Sequence, residues 1–226
     1  MKDNEDIRFL GECLSKVDQT RSQNFQDVWA LYESGYKQNG FFVEFGATNG
    51  VDGSNSYMAH KNYGWYGIVA EPNPAWHTEL KTNREDHRCR VVTDCVYTKS
   101  DETLEFLVTD EPDLSTIKGF GTDDEHSDKR TNAKSIKVNT ISLHDLLYTN
   151  DAPVDVDYLS IDTEGSEYDI LKSFFEENTT YTIKCITIEH NYNQQNRENI
   201  YNLLTSNGYK RKFEGFSRWD DFYIKE

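Results

Sequence analysis

Five short apolar runs punctuate this chain, and each carries a carboxylate at or beside its end. They cover Phe41–Phe45, Tyr66–Ala70, 90–96, 154–161 and 184–189, with Glu44, Glu71, Asp94, Asp162 and Glu189 as the acids. Runs of this length, bounded by glycine or proline, are read as strands rather than helices. Helical patterns lie between them. The spacing predicts helices over 1–20 (Ile7, Leu10, Leu14 and Val17 as the apolar stripe), 24–38, from Pro74 to about Asn83, 166–178 and 196–207. Asn73 and Ser142 are read as N-caps. Added strands are expected at 103–109 and 136–140, and 209–213 with 220–224 as a terminal antiparallel pair. Strands alternating with helices predict an α/β doubly wound, mostly parallel sheet, whose ligands bind beyond the carboxyl ends of the strands.

Composition narrows the function. The 226 residues suit one domain, read as an N-terminal helical extension over 1–39 and a main domain over 40–226. Aromatics at 13% supply a core, while a net charge of −16 opposes a nucleic-acid partner. No apolar stretch is long enough to span a membrane, and the polar start MKDNEDIRFL is unlike a signal peptide, so a cytoplasmic protein is expected. Cys13, Cys89, Cys95 and Cys185 form no C-x-x-C pair and read as reduced core thiols. The sequon at Asn178 reads as a chance match. Residues 110–135 are polar, hold Asp123-Asp124-Glu125 and His126, and read as a mobile loop or lid.

Three constellations carry chemistry. The first is Glu44-Phe45-Gly46-Ala47-Thr48-Asn49-Gly50, where two glycines allow a tight turn and close approach to a ligand. The helix expected to open near Ser54-Asn55 offers free N–H groups to an anionic ligand end. The spacing is not the G-x-G-x-x-G of dinucleotide enzymes. The second is Glu71-Pro72, 27 positions after Glu44, where a carboxylate at a strand end can accept both hydroxyls of a ribose. A nucleoside with a negative end and no pyrophosphate requirement fits S-adenosylmethionine. Asp94-Cys95 closes the third strand, with Asp94 a candidate for the adenine amino group. The third is Asp162-Thr163-Glu164-Gly165-Ser166-Glu167 followed by Glu189-His190-Asn191: acids and a histidine at adjacent strand ends that point to one cleft. Glu167 reads as a helix-start acid, while Asp162, Glu164 and His190 read as site residues.

Several of these segments together resemble the FkbM-type methyltransferases. The resemblance lies in Ser22-Gln23-Asn24-Phe25-Gln26-Asp27, Gly40 through Ala47, Gly53-Ser54-Asn55-Ser56, Gly64 through Pro74, 157–167 and Thr187 through Asn191. Asn49 departs from it, since relatives often carry Asp there. The resemblance implies a class I, Rossmann-like fold, S-adenosylmethionine as cofactor, and methylation of hydroxyls, often on sugars. The cofactor set read from residues and resemblance is Glu44, Phe45, Gly46, Ala47, Gly50, Ser54, Asn55, Glu71, Pro72, Asp94, Cys95 and Asp162. His190 is the expected base, with Asp162 as its orienter or substitute and Glu164 beside them. Asp162 with the Glu189–His190 pair also resembles the metal ligands of catechol-type methyltransferases, so a divalent cation is an alternative way to activate the hydroxyl. The expected acceptor is a sugar or glycan; Trp65, Trp76 and Trp219 are aromatic rings that can stack on a sugar face, although core packing is the expected use of each. Two other classes stay open: a nicotinamide-dependent oxidoreductase, opposed by the missing glycine fingerprint, and a non-catalytic nucleoside-binding module, opposed by the retained acids and histidine.

Overall fold

The computed structural model describes residues 5–122, 127–177 and 180–226. In chain order it holds α1 (Glu5–Lys16), α2 (Gln26–Glu33), β1 (Phe41–Phe45), α3 (Tyr57–Tyr63), β2 (Tyr66–Ala70), α4 (His77–Arg84), β3 (Cys89–Val92), β4 (Cys95–Tyr97) and β5 (Thr103–Val108). There follow β6 (Thr116–Ile117), α5 (Ser127–Arg130), β7 (Lys134–Ser142), α6 (Leu143–Thr149), β8 (Asp155–Ile161), α7 (Glu167–Glu177), β9 (Thr182–Glu189), α8 (Gln194–Ser206), β10 (Tyr209–Lys212) and β11 (Asp220–Lys225).

The main sheet runs β10-β11-β9-β8-β1-β2-β3. Strands β9, β8, β1, β2 and β3 are parallel, and β11 and β10 close the edge antiparallel, as expected from the sequence. Both faces of the parallel strands are covered, which is why their sequences read as near-continuous apolar runs. Val43 and Phe45 of β1 and Leu159 and Ile161 of β8 pack with α6, α7 and α8, through Leu146, Ile170 and Ile200. Phe42 and Tyr158, one residue out of phase, pack on the other face with Phe9, Val28, Trp29 and Met58 from α1, α2 and α3.

Four expectations change. The run 90–96 is not one strand. It divides at Thr93-Asp94, so that β3 pairs with β2 in the main sheet while β4 pairs with β7 in a second sheet of order β4-β7-β5-β6. Helix α1 has the predicted period but the opposite face inward: Phe9 and Cys13 are buried, while Ile7, Leu10, Leu14 and Val17 are exposed. Phe9 docks among Tyr32, Phe213 and Phe216, and this aromatic nest selects the face. Helix α4 starts at His77 rather than Pro74, because Asn73 first closes a turn, accepting the Ala75 N–H on its side chain and the Trp76 N–H on its carbonyl. Ser142 does cap α6, accepting the Asp145 N–H at 3.1 Å.

The segment expected to be a mobile lid is largely structured. It contributes a short 3-10 turn at Pro112–Leu114, β6 and α5. Asp123-Asp124-Glu125, His126 and the sequon residues Asn178 and Thr179 lie outside the described residues. All four cysteines are buried and unpaired. Among the described residues no helix is long and apolar enough to cross a membrane.

Candidate functional site

A cavity of about 520 Å³ opens where the carboxyl ends of β1, β2 and β8 meet. Strand β1 leads onward to β2 on one side and pairs with β8 on the other, so this is the topological switch point of the sheet, where such folds bind ligands. Phe45, Gly46, Ala47, Ser54, Asn55, Glu71, Pro72, Cys95, Asp162 and Glu164 of the sequence-derived set all border it. Trp76 and Trp219 border it too, whereas Trp65 is fully buried in the core.

The loop after β1 turns at Gly46, which has φ +69°; a Cβ there would sit 2.0 Å from the Asp162 carbonyl oxygen. Only glycine lets the β1 and β8 ends approach this closely. Thr48 then donates its N–H to Glu71 Oε2 at 3.0 Å, and Asn73 donates its N–H to Oε1 at 2.7 Å. Two acceptor sites of the carboxylate remain for a ligand. Burial pushes the Glu71 carboxyl up to about 7, against these two backbone donors, which lower it. Asn55 donates Nδ2 to Ser160 Oγ at 2.9 Å, while its Oδ1 is buried at the cavity wall without a hydrogen-bond partner. An acceptor left bare in this way is costly unless a ligand donor meets it.

Glu44 and Gly50 do not border the cavity, contrary to expectation. Glu44 is buried, and its carboxylate accepts from the Asn55 N–H (2.6 Å), Ser54 Oγ (2.9 Å) and Ser56 Oγ, with Arg84 Nη1 at 3.4 Å. Arg84, fully buried on α4, also donates to the Gly50 carbonyl (3.0 Å), Ser54 Oγ (3.0 Å) and Ser56 Oγ (2.8 Å). A Cβ on Gly50 would strike Arg84 Cγ at 2.5 Å. The Glu44–Arg84 pair therefore ties the ligand-facing loop from behind.

Opposite Glu71 the cavity ends in carboxylates. Oxygens of Asp162, Glu164 and Glu189 lie within 4.8 Å of one another. Burial and mutual repulsion raise their proton affinity: Asp162 to about 8, through burial and Asp220; Glu164 to about 8, through burial and Asp162; Glu189 well above the carboxylate range. Arg130 Nη2 and Asn191 Nδ2 donate to Glu164 Oε2 at 2.7 and 2.9 Å, and Asn191 Nδ2 also reaches Glu189 at 3.1 Å. Arg130 further donates to the Leu114 and Gly121 carbonyls, and Asn73 Nδ2 donates to Pro112 O and Ser115 Oγ. These bonds pin residues 112–121 over the cavity. Glu167 instead opens α7 and braces the loop before it, accepting from the Thr163 and Gly165 N–H groups.

A family model, the methyltransferase FkbM domain, matches residues 44–211, well over half of the chain. The chain belongs to the FkbM methyltransferase domain family. Its fold is that of class I, Rossmann-like methyltransferases. The human methyltransferase 10 domain containing protein superposes with a TM-score of 0.50 at 12% identity, covering 99% of this chain and 95% of that one. The precorrin-6y C5,15-methyltransferase of Geobacter metallireducens GS-15 gives 0.44 at 12% identity, over 88% and 85% of the two chains. The fibrillarin pre-rRNA processing protein of Methanococcus jannaschii gives 0.40 at 11%, over 83% and 66%. At 12% identity the first of these likenesses shows the fold alone. No curated protein matches the chain by sequence.

Membership of the FkbM family makes the protein an S-adenosylmethionine-dependent methyltransferase. The residues present fit that cofactor: a buried carboxylate with spare acceptor sites for a ribose, and the bare Asn55 Oδ1 for an amine. Two further residues of the sequence-derived set fall elsewhere. Asp94 is half-buried and does not border the FkbM-domain cavity, since the turn dividing β3 from β4 carries it away. His190 does not border it either. Glu189 ends β9 at the cavity, whereas His190, just beyond the strand, borders an adjoining hollow instead. His190 Nδ1 accepts the Tyr192 N–H at 3.2 Å, its Nε2 lies 4.0 Å from Asp221, and burial with nearby Arg197 and Arg211 lowers it to about 4. Sequence reasoning left out Arg84, Arg130 and Asp220 and gave Glu189 no role as a base. Glu189 was legible as another strand-end acid; the two arginines carry no local pattern.

Proposed function

We propose that the protein transfers the methyl group of S-adenosylmethionine to a hydroxyl oxygen of a sugar or glycan, with the acid cluster as base. One observation carries this reading: Asp162, Glu164 and Glu189, all with raised proton affinity, sit across one cavity from the ribose-type carboxylate Glu71. The cofactor, when bound, supplies an electrophilic methyl on sulfur. Glu71 would accept its hydroxyls and Asn55 Oδ1 an amine hydrogen. Asp162, the cluster member partly open to the cavity, takes the acceptor's hydroxyl proton at its carboxylate. A carboxylate with a pKa near 8 is a stronger base than an ordinary one and better matched to an alcohol. Arg130 and Asn191 hold Glu164 and Glu189 in place. Among the described residues no lysine or arginine borders the cavity, and with the −16 charge this favours a neutral acceptor over a nucleic acid.

A second reading keeps the reaction and gives hydroxyl activation to a divalent cation on the same three carboxylates, an oxygen donor set suited to Mg²⁺ or Mn²⁺. Turnover that survives a chelator separates the first reading from the second. The reaction itself is read from cofactor carrying a carbon-13 methyl, offered with neutral glycosides, amines and RNA. The label is expected in the methyl-ether region of the product's carbon spectrum. Label found only on nitrogen or carbon would overturn hydroxyl transfer.

A further inference from the structure

A second hollow, of about 350 Å³, adjoins the first, and Glu189 and Asn191 border both. Its walls are the turn at 119–122, with Phe120, and the first turns of α8. Five amides line it: Asn191, Asn193, Gln195, Asn196 and Asn199. Gln195, Asn196 and Asn199 share one side of α8 because they fall at steps of one and four, while Ile200 and Leu204 take the buried side. Gln195 Nε2 donates to Asn199 Oδ1 at 3.1 Å, which leaves the Asn199 amide hydrogens and Gln195 Oε1 available. His190 also borders the hollow; it is 2% exposed and its Nε2 has no hydrogen-bond partner.

The chemistry of these walls is selective. An amide both donates and accepts, as a sugar hydroxyl does, so a row of amides matches a ring bearing several hydroxyls. Phe120 offers an apolar face to the C–H side of such a ring. Among the described residues no lysine or arginine borders the hollow, whereas Glu167 and Glu189 do. A phosphate or sulfate would meet these carboxyl groups and find no lysine or arginine side chain on the described walls to receive it. We infer that this hollow is the acceptor subsite, built for an uncharged sugar ring and selective against phosphorylated ones. The inference rests on the proposed hydroxyl transfer and adds where the acceptor sits and which acceptors are refused.

The test uses the full chain saturated with S-adenosylhomocysteine. Saturation-transfer NMR is recorded with methyl glycosides of neutral hexoses and with the corresponding sugar phosphates. The wild type is expected to bind at least one neutral glycoside and to bind its phosphate at least tenfold more weakly. Asn196→Leu and Asn199→Leu are each expected to weaken glycoside binding, and to raise the acceptor KM, about tenfold or more, while affinity for S-adenosylhomocysteine holds. Equal binding of phosphorylated sugars, no binding of any neutral glycoside, or unchanged binding in both variants overturns the subsite. Methyl ethers formed with unchanged KM in both variants would leave the reaction standing and remove only the subsite. Transfer to nitrogen or carbon alone would remove the reaction.

Discussion

Asp162→Asn should lower kcat by about 10²–10⁴-fold, the usual contribution of a positioned base, with cofactor affinity little changed. The expectation follows from position: Asp162 is the first residue beyond β8, partly open to the cavity, and crowded by Glu189, Glu164 and Asp220. Glu189→Gln should act in the same direction, since it removes the carboxylate that shares protons with Asp162. Glu164→Gln should cost stability as well, because Glu164 is the buried partner of Arg130. The pH profile fixes the sign. The base works when deprotonated, and burial raises Asp162 to about 8, so kcat should rise with pH through about 8 and then level. Wild-type kcat in both Asp162→Asn and Glu189→Gln would place the base elsewhere.

Arg84→Met should destabilise the protein by about 3–5 kcal/mol, the cost of leaving a buried charge without its partner. Arg84 is fully buried and holds Glu44, Ser54, Ser56 and the Gly50 carbonyl at once. In a chain of this size such a loss lowers Tm by roughly 10 °C. The Glu44→Gln, Arg84→Met double variant should be more stable than Arg84→Met alone, because the neutral amide removes the stranded charge. Thermal melts of the wild type and the two variants give the comparison. A single variant that melts with the wild type would mean the loop does not depend on this pair.

The strands of the main sheet were legible because burial on both faces writes itself into short apolar runs bounded by Gly46, Pro72 and Gly165. Pairing was less legible. The run 90–96 serves two sheets because Thr93-Asp94 turns between them, and a local pattern holds no record of which partner a strand chooses. In α1 the alternatives Phe9/Cys13 and Ile7/Leu10/Leu14 share one helical period, so only the aromatic nest of Tyr32, Phe213 and Phe216 decides the face. In the site, acids at strand ends marked the cavity, but their tasks depend on neighbours distant in sequence. Glu44 looks like a ligand-facing acid until Arg84, 40 positions on, claims it. His190 looks like the base until the fold places it at the adjoining hollow and off the cofactor cavity. Arg130 stands in a polar stretch without period, and only the fold brings it to Glu164.

The central claim is that the cavity at the ends of β1, β2 and β8 holds the nucleoside cofactor through Glu71. Calorimetric titration of S-adenosylhomocysteine, from about pH 6 to about pH 8, tests it directly. Burial raises the Glu71 carboxyl to about 7, and only its ionised form accepts two hydroxyls, so wild-type affinity should fall as pH drops through about 7. Glu71→Gln should bind about tenfold or more weakly above that pH, consistent with ~1.5–3 kcal/mol for hydrogen bonds to a charged group, and show a flatter pH dependence. Equal affinity and equal pH dependence in the two proteins would contradict the assignment.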